Sequence, residues 1–127
     1  MTLSAPRLSR LILGFLWVYQ GLVPKLVAFA PLERDIVERS GLYLGSPALT
    51  MQYIGVVEIL LGVWLLNGWA LHAACLITTG LLVGLSIAVV IIEPSLLVGP
   101  FSGIIKNVAL LALAWIACQP SQEPKGP

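Results

Sequence analysis

Leu49 to Leu66 reads LTMQYIGVVEILLGVWLL, and this stretch decides the class of fold. It is apolar almost throughout, yet it carries a single carboxylate, Glu58, near its middle. At ~1.5 Å of rise per residue, ~20 helical residues cross the ~30 Å hydrocarbon core of a bilayer. The stretch therefore reads as a membrane span with an acid at membrane depth. Three further stretches of the same kind, Leu11–Val27, Trp69–Ile92 and Phe101–Cys118, fill most of the remaining chain of 127 residues.

Composition agrees. Hydrophobic residues make up 58% of the chain and charged residues 10%, against roughly 25% charged in an ordinary soluble domain. A soluble fold of this size buries only ~60–70% of the surface its unfolded chain exposes, too little to hide so much apolar area. Lipid has to be the solvent. The formal net charge of +1 gives no reason to expect a nucleic-acid partner, and no basic cluster marks a binding site for anionic headgroups.

The expected fold is all-α: an integral membrane four-helix bundle running up-down-up-down, a single domain over residues 1–118 with helices at approximately 8–28, 49–66, 69–92 and 101–118. Pro6 is expected to hold the start of the polar lead out of the helix. The apolar centre of the first helix, Leu11 to Val23, is short and preceded by Arg7 and Arg10, so a signal peptide competes. Lys25, and Pro31 directly after the small-residue site Ala28-Phe29-Ala30, argue for a retained helix.

Between helices one and two, Leu32, Ile36 and Val37 recur near helical spacing among Glu33, Arg34, Asp35, Glu38 and Arg39. This fits a short interfacial helix ended by Ser40-Gly41, with a solvated loop as the equal alternative. Asn67-Gly68 makes a tight turn between helices two and three, Glu93-Pro94 ends helix three, and Pro100 with Gly103 opens helix four. Residues 119–127 read as a disordered tail.

Alternation of helix direction gathers Gln20, Lys25, Gln52, Tyr53, Glu58, Glu93, Lys106 and Asn107 into one half of the membrane. Helical phase puts Gly14, Trp17, Gly21 and Lys25 on one face of helix one, and Gly55, Glu58 and Gly62 on one face of helix two. Small residues beside the acid let a neighbour approach closely, so Glu58 is expected to face a partner helix. Gly80, Gly84 and Ala88 form a small-residue stripe on helix three that suits packing within the bundle or between copies.

An ionisable side chain at this depth is costly toward lipid and marks a functional site by default. We expect an ion pair between Glu58 and Lys106, shared by Lys25 and Gln20. A polar pocket for an amphiphile such as a quinone would then be lined by Trp17, Gln20, Lys25, Tyr53, Glu58, Lys106 and Asn107, with Tyr19 nearby. The plain alternative is a pair that only fixes helix register. No catalytic residue can be named and a stand-alone enzyme is not expected. There is no C-x-x-C, phosphate loop or nucleophile elbow. Cys75 and Cys118 are expected to differ in depth by a turn or more and to remain unpaired. His72 and Cys75 are too few for a metal site, so none is expected.

The run Trp17-Val18-Tyr19-Gln20-Gly21-Leu22-Val23-Pro24-Lys25, a loop acid, Gly55-Val56-Val57-Glu58 with Gly62, and Gly99-Pro100-Phe101 with Lys106-Asn107 together resemble the DoxX-like family of small bacterial membrane proteins. The resemblance spans nearly the whole chain and implies four membrane helices in a bacterial inner membrane. Some relatives by name are subunits of a thiosulfate:quinone oxidoreductase. The positions that match the family's polar pattern are Gln20, Pro24, Lys25, Glu58, Lys106 and Asn107.

Three functions follow: an accessory or quinone-linked subunit of a membrane redox system, a structural or assembly subunit, and a minimal proton or solute transporter. The partners would be the lipid bilayer and either a membrane redox protein or further copies of the chain. Both termini belong on one side. Lysine and arginine are nearly balanced between the two ends, with the cytoplasm slightly favoured for the termini if Lys25 and Lys106 lie inside the bundle.

Overall fold

The computed structural model describes residues 3–28, 30–98 and 103–120, and among these every regular element is helical. Helix α1 covers Ala5–Gly21 and continues as a π-helical segment, Leu22–Val27. Helices α2 (Pro31–Ser40), α3 (Pro47–Asn67) and α4 (Leu71–Ile92) follow, then a 3-10 turn at Pro94–Leu97 and helix α5 (Gly103–Ala117). Three helices are long and apolar enough to cross a membrane: Ala5–Val27, α3 and α4. The apolar part of α5, Ile105–Ala117, is shorter. Phe29, Gly99, Phe101, the tail beyond Pro120 and Pro100 of the expected opening of helix four lie outside the described residues, while Gly103 of that opening begins α5.

Local chemistry sets most boundaries. Pro6 stands in the first turn of α1, contrary to the expectation that it would keep that turn from forming. Its missing N–H is one of those a helix start leaves unbonded in any case. The Ser46 hydroxyl accepts from the Leu49 N–H at 3.1 Å and caps α3. Gly68 ends α3 at φ 73°, in the left-handed region that favours glycine. The stretch between α1 and α3 is helical, and of the two readings the helix holds. It ends at Ser40, with Gly41 at φ 68°.

The tightest seam joins α1 to α3. A Cβ added to Gly55 would lie 2.8 Å from the Gly21 carbonyl oxygen, and one added to Gly62 would lie 2.6 Å from that of Gly14. The two helices thus run antiparallel with their backbones in contact. In lipid there is no water to drive helices together, so such close van der Waals contact has to carry the association. Around this seam Leu13, Trp17, Leu61, Leu65, Ala74, Leu82, Leu110 and Ala114 form the core. The two glycines of the α4 stripe pack against no other element among the described residues: a Cβ on Gly80 or Gly84 would meet nothing within 4 Å.

Cys75 and Cys118 form a disulfide with their Cα atoms 6.3 Å apart, which corrects the expectation that they differ in depth and stay unpaired. Helix α5 ends at Ala117, so Cys118 comes level with Cys75, which sits one turn into α4. The two helices run antiparallel from there, and the Asn107 amide donates to the Ser86 hydroxyl at 2.8 Å.

Candidate functional site

Pro24 begins the construction of the site. Its nitrogen carries no hydrogen, so the Gln20 carbonyl, four residues earlier, loses its usual helical donor. The ladder widens into the π-helical segment, where the Ala28 N–H donates to the Val23 carbonyl at 2.7 Å. The Lys25 ammonium turns back and donates to the Gln20 carbonyl at 3.4 Å. Segments of this type recur at functional sites because they re-aim a side chain without breaking the helix.

Lys25 is thereby aimed at α3. Its Nζ lies 2.9 Å from Glu58 Oε2 and 2.9 Å from Glu33 Oε2, one ammonium serving two carboxylates. Lys25 and Glu58 are buried, at 7% and 3% exposure. Glu33, on α2, is only partly buried. The close approach at Gly55 makes the pairing reachable, since a Cβ there would fall 2.9 Å from that of Lys25. Charges withdrawn from water survive only when paired, and here the pairing is met from two helices.

The expected partner of Glu58 was Lys106, and the structure corrects this. Lys25 is closer because the widened turn carries it inward, while Lys106 is exposed and makes no ion pair with a carboxylate among the described residues. Lys106 nevertheless borders the same space. A cavity of about 310 Å³ is lined by Trp17, Gln20 and Lys25 from the first span, by Ile54 and Glu58 from α3, and by Lys106 and Asn107 from α5. Leu82, Leu85 and Val89 of α4, Leu96 after it, and Leu32, Glu33, Ile36 and Val37 of α2 complete the wall. Volumes of ~300–1,000 Å³ with mostly apolar walls and a few polar groups are usual for small-molecule sites.

Six of the seven residues expected at the site therefore meet there. Tyr53 does not: it is 52% exposed and takes no part in the cavity wall, and Tyr19 is 53% exposed. The contribution of α2 was missed. Its signal was present in the spacing of Leu32, Glu33, Ile36 and Val37, but a surface helix gives no sign in sequence of what it covers.

A second ion pair holds α2 against the end of α4. Arg39 Nη2 lies 2.6 Å from Glu93 Oε2, and Nη1 donates to the Ile92 carbonyl at 3.2 Å, satisfying an acceptor that the helix end leaves free. The Ser95 hydroxyl, and after it Arg39, hold the Glu93 carboxyl below the usual carboxylate range. The hydrogen bond to Glu93 raises Arg39 in return. No group of three or more potential metal ligands occurs among the described residues, and Cys75 is engaged in its disulfide.

The sequence of residues 14–115 matches the model of the DoxX-like family. The chain belongs to the DoxX-like family. No curated protein and no solved structure matches it. In this DoxX-like protein Gln20, Lys25, Glu58, Lys106 and Asn107 converge on one cavity, and Pro24 supplies the backbone change that aims Lys25.

Proposed function

We propose that this DoxX-like protein is a small, multi-pass subunit of a bacterial inner membrane redox system, with α5 as its fourth span and an intramembrane site that takes the headgroup of an amphiphile such as a quinone. It acts as an accessory or quinone-linked subunit beside a membrane redox partner and is not a stand-alone enzyme. The observation that carries this reading is the joining of a buried Lys25–Glu58 pair to an apolar-walled cavity of about 310 Å³. A pair that merely fixed helix register would be better packed shut, since apolar residues of equal volume replace such pairs at no cost in stability.

Extraction of the full chain into lipid nanodiscs, followed by mass spectrometry of the small molecules carried with it, tests the proposal. A quinone at near-stoichiometric amount, lost in Lys25→Met, is the expected result. A chain that carries only bulk phospholipid under conditions where an added quinone also fails to bind would overturn it.

A further inference from the structure

Two donors at the cavity await acceptors. The indole N–H of Trp17 is buried and has no hydrogen-bond partner among the described residues, and Trp17 lines the cavity. The ammonium of Lys106 borders the same space with no carboxylate within ion-pair distance among the described residues. At the same time the charges of the site balance. Lys25 and Lys106 stand against Glu33 and Glu58, so an ionised headgroup would leave one charge uncompensated in a medium that solvates it poorly.

We infer that the cavity selects an uncharged amphiphile whose head presents carbonyl oxygens to Trp17 Nε1 and Lys106 Nζ, with its tail along Leu82, Leu85 and Val89. The inference rests on the ligand-site reading above and adds the charge class and the donors. A buried N–H left without an acceptor costs stability, so the head that supplies one gains affinity.

The test uses a chain in which Trp64, Trp69 and Trp115 are replaced by Phe, so that fluorescence reports Trp17 alone. It is titrated in nanodiscs with decyl-benzoquinone, decanoate and decyl-trimethylammonium, which share a tail and differ in head charge. Native mass spectrometry of the unaltered chain supplies a readout independent of those substitutions. Saturable binding of the benzoquinone, at least tenfold tighter than that of either ion, is expected, with Trp17→Phe weakening it about five- to tenfold. Preference for decanoate or the cation overturns the charge class and leaves the ligand site standing. An unaltered affinity in Trp17→Phe removes Trp17 as a donor, and absence of saturable binding by all three overturns the site itself.

A different observation assigns the membrane orientation. The Cys75–Cys118 disulfide lies at the end of the molecule where α4 starts and α5 finishes, and Lys25 and α2 lie at the other. Disulfides persist in oxidising compartments and are rare in the cytosol. The geometry points to a disulfide end, and with it both termini, facing the oxidising side, and to a cavity and α2 facing the cytoplasm. This reverses the slight preference drawn from the charge count, in which the two ends nearly tie.

Alkaline phosphatase fused after the last residue of the unaltered chain, in a bacterial host, is expected to be active. A membrane-impermeant maleimide is expected to label Arg34→Cys only after lysis and Gln119→Cys in intact spheroplasts, both made in a Cys75→Ser/Cys118→Ser background. An inactive fusion, the opposite labelling, or a wild-type chain whose thiols are free on trapping would overturn the assignment.

Discussion

The Lys25 ammonium reaches the Gln20 carbonyl at 3.4 Å, the acceptor that Pro24 leaves without a helical donor. The proline thus reshapes the helix and leaves an acceptor that steadies the cation. From that one residue follow the position of Lys25, its two carboxylate contacts and the polar end of the cavity.

Removing Lys25 should cost more than removing Glu58. Lys25→Met strands two carboxylates, one of them buried, and breaking a buried pair from one side costs about 3–5 kcal/mol. Glu58→Gln leaves the ammonium with Glu33, so a loss of about 1–2 kcal/mol is expected. The double change Lys25→Met/Glu58→Leu should recover most of the stability lost in Lys25→Met. Reversible unfolding in bicelles measures all three, and equal losses in the two single variants would contradict the sharing of Lys25.

Bulk at Gly55 should separate α1 from α3. Gly55→Leu places its Cβ 2.8 Å from the Gly21 carbonyl oxygen, and overpacking of this kind costs about 1–3 kcal/mol. Gly80→Leu, whose Cβ would meet nothing within 4 Å among the described residues, serves as the control and should not destabilise, helix propensity favouring it by up to about 1 kcal/mol. A similar response at both positions would argue against the seam.

Acid should release α2 from the end of α4. Glu93 is held below the usual carboxylate range by Ser95 and Arg39. A depressed carboxylate contributes stability that is fully present above its unfolded value, ~4.3, and is lost as pH falls through the lower folded value. Protection of the α2 amides, corrected for the intrinsic pH dependence of exchange, should therefore be unchanged from pH 7 to 5 and fall below ~4. Glu93→Gln should show the faster exchange at every pH.

The disulfide should be visible directly. Unreduced chain should migrate faster than reduced chain in denaturing electrophoresis, and Cys75→Ser/Cys118→Ser should show no difference. Loss of a crosslink closing a loop of 43 residues should lower stability by about 2–4 kcal/mol.

Three of the spans, the turn at Asn67-Gly68 and the inward phase of Glu58 were legible because they depend on local composition and on helical periodicity. Gly55 and Gly62 marked the face of α3 that a neighbour approaches, and Gly14 and Gly21 a face of the first helix, but not that these two faces meet. The partner of Glu58 was not legible. Lys25 and Lys106 were both near in depth, and the choice between them turned on how far Pro24 widens the helix, a distortion that periodicity treats as absent. The cysteine pairing failed similarly. A shift of about one turn, 5.4 Å, in where α5 ends decides whether Cys118 meets Cys75.

Helix α4 is fastened near both ends, by Cys118 on Cys75 and by Arg39 on Ile92 and Glu93, while Gly80 and Gly84 in its middle have open space beside them. With Asn107 on Ser86 as a third fastening and Thr78 and Leu82 buried between them, the helix is a stave gripped along one side, its glycine side clear of every other described element.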